Sequence, residues 1–286
     1  MNTSIGLAQI SPRLGDVKAN LEKHLQFVEQ ALAQGVELLV FPELSLTGYM
    51  LQDLVHEVAR TAAPDDPLLA PLLDASRQLD LVVGFAERDV RGRLFTASAY
   101  LAQGRIVHVH RKVYLPTYGM FDEGRDFDWG EEVRAFDTRF GRAGLLICED
   151  FWHASPPYLL WLDGADLMLL TSSSPGRGID HRDKLGSSRF VELVNQAYAN
   201  LFGCFVVHAN RVGFEDGVNF WGGSTIFGPD GELMAQAPYL EESLLVAQLD
   251  WSALRRARAR LPLLRDERPD LTQRELTRIL QRQSEV

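Results

Sequence analysis

The stretch Gly144-Leu145-Leu146-Ile147-Cys148-Glu149-Asp150 runs from an apolar segment straight into polar residues. A short apolar run without polar alternation is typical of a β-strand that is buried on both faces. Runs of the same kind recur along most of the chain. They predict strands at 36–41, 81–85, 97–101, 106–109, 144–147, 167–170, 204–207 and 244–249.

Helical patterns alternate with these strands. Apolar residues recur at helical spacing between Val17 and Leu32, with Asp16 as a candidate N-cap, and further helices are predicted at 182–201 and 271–280. Strands and helices in alternation predict an α/β fold in which helices cover the sheets. We expect one domain over 1–260, followed by a C-terminal tail over 261–286.

The segment that leads into this tail is rich in arginine. Residues 254–268 contain six arginines and two acidic residues. A charge run of this kind is usually a solvated face. We therefore interpret it as a solvated tail or a subunit-interface segment, in preference to an arm that binds an anion or a partner.

Composition limits the function classes. The chain has 286 residues, a net charge of −10 and 46% hydrophobic residues, as in an ordinary globular protein. An acidic chain is a poor match for nucleic acid or an anionic membrane, and no apolar run reaches the length of a membrane span. Two cysteines, Cys148 and Cys204, cannot form a disulfide framework or a four-cysteine zinc site, which predicts a reducing, cytoplasmic location.

Three strand ends carry residues that suit catalysis. Glu43 follows the apolar run at 36–41, and Cys148 follows the run at 144–147. Lys112, one of four lysines in the chain, opens an aromatic-rich loop. Cys204 instead lies inside an apolar run, where a small structural residue is expected, so Cys148 is the better candidate for a reactive thiol.

These three side chains are chemically complementary. A free thiol titrates near ~8.5 and a carboxyl group near ~4.3, so the carboxylate is a useful base only if burial raises its pKa. A nearby ammonium favours the thiolate and stabilises an oxyanion once a carbonyl carbon has been attacked.

The order of the motifs F-P-E-L, R-K-x-x-L-P and C-E-D-x-W, from Glu43 to Lys112 to Cys148, resembles the nitrilase superfamily of carbon–nitrogen hydrolases. The resemblance implies a four-layer α-β-β-α sandwich that assembles into a homodimer or a higher homo-oligomer. It also implies Glu43 as general base and acid, Lys112 as oxyanion stabiliser and Cys148 as nucleophile, with neither metal nor organic cofactor. The superfamily's second glutamate best matches Glu123, with Asp122 as the alternative.

Within the superfamily, residues 114–125 and 261–269 are most similar to the glutaminase domains of glutamine-dependent NAD synthetases. This likeness implies a set of substrate-binding residues: Tyr49, Tyr118, Glu149, Ser174 and, flanking the position of an expected arginine, Arg177 and Arg182.

The sequence leaves the substrate open. The first hypothesis is an amidase that cleaves a small linear amide through a cysteine thioester. Alternatives are a glutaminase subunit that supplies ammonia to a separate synthetase partner, an N-carbamoyl amino acid hydrolase, and, less favoured, a nitrile hydrolase. A non-catalytic binding protein on the same scaffold is disfavoured, because binding alone would not require an intact Glu–Lys–Cys set.

Overall fold

The computed structural model describes residues 2–178 and 185–284. Its strands are β1 (Asn2–Gln9), β2 (Leu38–Val40), β3 (Asp80–Arg88), β4 (Leu94–Ala102), β5 (Arg105–Arg111), β6 (Ala135–Thr138), β7 (Gly141–Ile147), β8 (Leu167–Ser172), β9 (Phe205–Asn210), β10 (Val212–Glu215), β11 (Val218–Trp221), β12 (Thr225–Phe227), β13 (Leu233–Gln236) and β14 (Ser243–Asp250). Its α-helices are α1 (Val17–Ala33), α2 (Val55–Val58), α3 (Leu69–Ala75), α4 (Ser155–Leu162), α5 (Gly186–Phe202), α6 (Trp251–Arg260), α7 (Leu263–Asp266) and α8 (Pro269–Ser284).

Two six-stranded sheets form the centre of the molecule. The first has the order β14-β1-β2-β3-β4-β5, and the second has the order β13-β12-β9-β8-β7-β6. In the first sheet β2 lies parallel to β1 and β3, and in the second β8 lies parallel to β7 and β9. Strands β10 and β11 form a separate hairpin.

The sheets pack face to face, and helices cover their outer faces. A buried cluster that includes Val40 and Leu169 fills the space between the sheets. On the outside, α1 and α3 pack against the first sheet, while α4 and α5 pack against the second. This is the predicted four-layer α/β sandwich, and two buried faces per sheet explain why so many strands are apolar throughout.

The structure contains all eight predicted strands and further ones that the apolar pattern did not reveal. The clearest is β1, where Thr3, Ser4 and Gln9 interrupt the apolar run although all three are buried. Two of them are hydrogen-bonded, since the Trp251 indole donates to Thr3 and Gln9 Nε2 donates to two backbone carbonyls, whereas the Ser4 hydroxyl has no partner among the described residues.

The helix predictions are confirmed for the residues that the structure describes. Helix α1 begins after Asp16, whose carboxylate accepts from Ala19 N at 3.1 Å as an N-cap. The predicted helix at 182–201 corresponds to α5, while residues 182–184 lie outside the described residues, and the helix at 271–280 lies within α8.

The arginine-rich segment is partly packed. Arg258 of α6 donates to Asp166 Oδ1 at 2.5 Å and to the carbonyl of Gly203. Helix α8, in contrast, has no buried residue. In 2–178 and 185–284, no helix combines the length and apolarity that a membrane crossing requires.

Candidate active site

The predicted catalytic residues converge at one edge of the sandwich, where strands from both sheets end. Glu43 and Lys112 follow β2 and β5 of the first sheet, and Cys148 directly follows β7 of the second. Carboxyl ends of parallel strands are where open α/β sheets place their ligand sites. The site is therefore assembled from both halves of the molecule.

The Glu43 carboxylate is fixed from two sides. Its Oε1 lies 2.8 Å from Lys112 Nζ, and its Oε2 accepts from the backbone N–H of Ser173 at 2.7 Å. The Ser173 hydroxyl also donates to the Glu43 carbonyl at 3.0 Å. Gly84 allows this segment to approach β3, because a Cβ at that position would lie 2.4 Å from the Pro42 carbonyl oxygen.

Lys112 is fully buried between two carboxylates. Its Nζ donates to Glu43 Oε1 and to Glu123 Oε1, each at 2.8 Å. Glu123 Oε1 also accepts from the Tyr49 hydroxyl at 2.6 Å. The geometry thus places Glu123 where it can orient the ammonium, and Tyr49 where it steadies Glu123.

Cys148 lies at a strained turn. Its φ of 44° is in the left-handed region, which costs free energy for any residue other than glycine. It opens a short 3-10 helix, Cys148–Phe151, and is 7% exposed. The turn places Cys148 at the exit of β7, where its side chain is nearly buried.

Burial and neighbouring charges shift the pKa values of the site residues. Burial raises the pKa of Glu43 to about 7, although Lys112 opposes the shift. Burial also raises the pKa of the Cys148 thiol well above its usual range, with Glu43 adding to the shift and Lys112 opposing it. Burial lowers the pKa of Lys112, but the carboxylates of Glu123 and Glu43 outweigh that effect and hold it well above its usual range. The resting site therefore favours a neutral thiol and a charged ammonium.

Sequence reasoning missed a clamp formed by Asp150. This buried carboxylate accepts from the backbone N–H groups of Val113 and Tyr114, both at 2.9 Å, and of Ile147 at 3.0 Å. Its Oδ2 also lies 2.8 Å from His110 Nε2. One side chain thereby joins the lysine loop to the cysteine turn. The signal available in the sequence was an aspartate two residues after the candidate nucleophile, in the motif C-E-D.

A second missed contact supports the loop after Glu43. Glu215 of β10 accepts from the N–H groups of Tyr49 and Met50 at 2.8 and 2.7 Å, and pairs with the buried Arg211 at 3.0 Å. Arg211 stacks over Phe220, its guanidinium carbon 4.1 Å from the ring centroid.

Two of the predicted substrate-binding residues contact each other. The Tyr118 hydroxyl donates to Glu149 Oε2 at 2.9 Å, and the Ser174 hydroxyl is buried with no hydrogen-bond partner among the described residues. Arg177 lies over the Phe121 ring, 4.5 Å from its centroid. Arg182 lies outside the described residues.

Cys204, Phe151 and His108 are packed in structural surroundings. Cys204 has no exposed surface and packs in the apolar cluster beneath α4 and α5. Phe151 is fully buried, and His108 stacks on Phe136 with centroids 4.4 Å apart. Within 2–178 and 185–284, no three His, Cys, Asp or Glu side chains are grouped as a metal site would require.

Comparison with known proteins identifies the family. The carbon-nitrogen hydrolase family pattern matches residues 4–259. The chain therefore belongs to the carbon–nitrogen hydrolase family, as its motifs suggested.

Two relatives of this chain differ in their length and in the activity for which they are named. The chain is 33% identical over 253 residues to the glutamine-dependent NAD(+) synthetase of Thermotoga maritima, covering 86% of this chain and 42% of that protein. It is 27% identical to the N-carbamoylputrescine amidase of Arabidopsis thaliana, covering 90% and 89% of the two chains. The chain thus spans less than half of the NAD synthetase it matches.

The fold also matches a solved structure along nearly its whole length. A carbon-nitrogen hydrolase from Helicobacter pylori G27 superposes with a TM-score of 0.82 at 24% identity, covering 96% of this chain and 99% of that one.

Proposed function

We propose that the chain is a thiol-dependent amidase that hydrolyses a small linear amide through a thioester on Cys148. The observation that carries the proposal is the buried Glu43–Lys112–Glu123 arrangement beside a cysteine at a strained strand end. A buried ammonium between two carboxylates costs desolvation free energy, which a catalytic role would justify.

In the first half of the reaction, Glu43 accepts the thiol proton as the Cys148 sulfur attacks the amide carbon. The carbonyl π electrons move to oxygen, and the Lys112 ammonium stabilises this oxyanion. The C–N bond then breaks, Glu43 donates its proton to the departing nitrogen, and ammonia leaves a thioester behind.

In the second half, Glu43 removes a proton from a water molecule, and the oxygen attacks the thioester carbon. Collapse of this intermediate breaks the C–S bond and releases the carboxylic acid, and the proton returns from Glu43 to the thiolate. A carboxyl group whose pKa is raised to about 7 can serve as acid and base in turn near neutral pH.

The second candidate is a glutaminase that supplies ammonia to a separate synthetase. The Glu149 carboxylate and the Arg177 guanidinium complement the ammonium and carboxylate groups of an α-amino acid, and Ser174 offers a free hydroxyl. The similarity to NAD synthetases supports this candidate. The similarity to the N-carbamoylputrescine amidase of Arabidopsis thaliana supports instead a carbamoyl compound as the substrate. The identity of the amide therefore has to be tested. In either case we propose a cytoplasmic homo-oligomer.

An ammonia-release screen tests the proposal directly. The panel contains glutamine, asparagine, ω-amides, carbamoyl amino acids and aliphatic amides, each with wild type and with Cys148→Ala. We expect at least one amide to release ammonia and to leave an acyl adduct on the wild type by intact mass. Activity retained in full by Cys148→Ala would refute the thioester route. Glutaminase activity that appears only with an added synthetase would select the second candidate.

A further inference from the structure

A buried ion pair, Arg211 with Glu215, lies against the loop that follows Glu43. Arg211 has no exposed surface, and its Nη1 donates to Glu215 Oε2 at 3.0 Å. Its guanidinium carbon lies over the Phe220 ring, while Nε and Nη2 have no hydrogen-bond partner among the described residues. Because the desolvation of two charges can exceed their attraction, stability alone does not account for this pair.

The second oxygen of the Glu215 carboxylate holds the loop that carries Tyr49. This oxygen, Oε1, accepts from the backbone N–H groups of Tyr49 and Met50 at 2.8 and 2.7 Å. Gly48 lets the carboxylate come this close, since its φ is 86° and a Cβ there would lie 3.1 Å from Glu215 Oε2. The Phe220 ring packs edge-on against the Tyr49 ring, with centroids 5.8 Å apart. The backbone and the ring of Tyr49 are thus both fixed from the same side.

Tyr49 links this pair to the ammonium of the site. Its hydroxyl donates to Glu123 Oε1 at 2.6 Å, and the same oxygen accepts from Lys112 Nζ at 2.8 Å. A line of hydrogen bonds, joined only by the covalent frame of Glu215 and Tyr49, therefore runs from Arg211 to Lys112.

The backbone of Arg211 also supports Glu43. Its N–H donates to the carbonyl of Ser172 at 3.0 Å, and the next residue, Ser173, donates its own N–H to Glu43 Oε2 at 2.7 Å. The segment from Arg211 to Glu215 therefore supports both the proposed base and the group that orients the ammonium.

We propose that Arg211 and Glu215 are positioning residues that, through Tyr49, hold the oxyanion-stabilising ammonium in place. The inference rests on the proposed amidase function. A misplacement of about 1 Å far from the reacting atoms can cost on the order of 10²-fold in rate. Loss of the pair should therefore lower kcat and kcat/KM equally, as expected when an interaction made only in the transition state is lost.

Variants of Glu215 separate its role as an acceptor from its charge. Glu215→Gln keeps an oxygen for the two N–H groups but places an N–H donor toward Arg211, and we expect kcat on the best amide of the panel to fall by about 10- to 100-fold. Adding Arg211→Met removes the facing cation, so kcat should recover in part. Glu215→Leu with Arg211→Met removes the charges and also the acceptor, so kcat should stay low.

Asp80→Asn is the matched control, because it disrupts a buried ion pair far from the site. Asp80 is 3% exposed at the start of β3, where it accepts from the Tyr100 hydroxyl at 2.7 Å and pairs with Arg139 at 3.1 Å. Glu43 follows the other end of the parallel strand β2. We expect Asp80→Asn and Glu215→Gln both to unfold at a lower urea concentration than the wild type, but only Glu215→Gln to lose kcat.

Alkylation of Cys148 by iodoacetamide, followed by intact mass, is a readout that needs no turnover. The Lys112 ammonium favours the thiolate, so its displacement in Glu215→Gln should slow the alkylation. Asp80→Asn should react at the rate of the wild type.

The outcomes distinguish the two levels of the hypothesis. If the wild type hydrolyses no amide in the panel, the proposed function is wrong, and the alkylation rates still decide the positioning role. That role is wrong if Glu215→Gln keeps the wild-type kcat and alkylation rate, if it changes KM alone, or if Asp80→Asn lowers kcat as much. It is also wrong if the Leu–Met double variant is as active as the Gln–Met double variant.

Discussion

At the scale of single residues, the decisive feature is the Glu43 carboxyl group. Burial raises its pKa to about 7, and only its ionised form can accept the thiol proton. We therefore expect kcat/KM to fall as the pH decreases through about 7. No matching alkaline loss is expected from Lys112 near neutrality, because the pKa of its ammonium is held well above the usual range.

A pH profile of kcat/KM on the best amide checks this expectation. Glu43→Gln serves as the control and should be inactive at every pH, since a carboxamide cannot accept the thiol proton. A wild-type profile that stays flat down to about pH 5 would show that Glu43 is not the titrating base.

Lys112 provides a second prediction at this scale. In Lys112→Met, the Glu43 and Glu123 carboxylates lose the ammonium that lies 2.8 Å from each of them. Removing one partner of a buried ion pair costs about 3–5 kcal/mol, and loss of an oxyanion contact lowers kcat by about 10²-fold or more. Urea unfolding and steady-state kinetics measure the two effects.

A double variant separates these contributions. Glu123→Gln added to Lys112→Met removes one of the two facing charges, so stability should recover in part while activity stays lost. If activity recovers together with stability, Lys112 has only a structural role.

At the scale of elements, the loop after β5 and the turn after β7 depend on each other through Asp150. Its Oδ2 accepts from Ile147 N at 3.0 Å, so in Asp150→Asn an amide nitrogen or a displaced side chain would meet that N–H group. We expect a cost of about 1–3 kcal/mol and a lower kcat, because both Lys112 and Cys148 lose a support.

Urea unfolding and kinetics of Asp150→Asn check this prediction against Asp128→Asn. Asp128 is exposed and lies in the same loop region, so its variant should match the wild type. Equal behaviour of the two variants would show that the clamp contributes nothing measurable.

The same elements show what the sequence could predict. Apolar runs reveal strands buried on both faces, and the residues at their ends reveal Glu43, Lys112 and Cys148. The sequence signals Asp150 by its place in C-E-D, but its partners and the Ser173 N–H bond to Glu43 could not be foreseen, since they depend on distances between segments far apart in the chain. Strand β1 escaped notice because buried polar residues interrupt its apolar run, and the partner of one of them, Trp251, lies far along the chain.

At the scale of the whole molecule, the core between the sheets fixes the relative position of the two halves. Leu169 of β8 is fully buried there. We expect Leu169→Ala to lower the free energy of unfolding by about 2–5 kcal/mol, through lost burial and a cavity. Urea unfolding measures this cost.

Leu280→Ala is the matched control, because Leu280 of α8 is 62% exposed and its truncation should change stability by less than about 0.5 kcal/mol. A similar loss in both variants would mean that the sheet interface is not the stabilising core.

The division of the site between two sheets also makes the cysteine a reporter of assembly. Cys148 belongs to one sheet, and its proposed base and ammonium belong to the other. An electrophile shaped like a small amide should therefore label Cys148 only in molecules in which the two sheets have docked. Cys204 has no exposed surface and should not be labelled in the native state. The rate of Cys148 labelling during refolding would therefore report when the two sheets dock, separately from when either sheet forms.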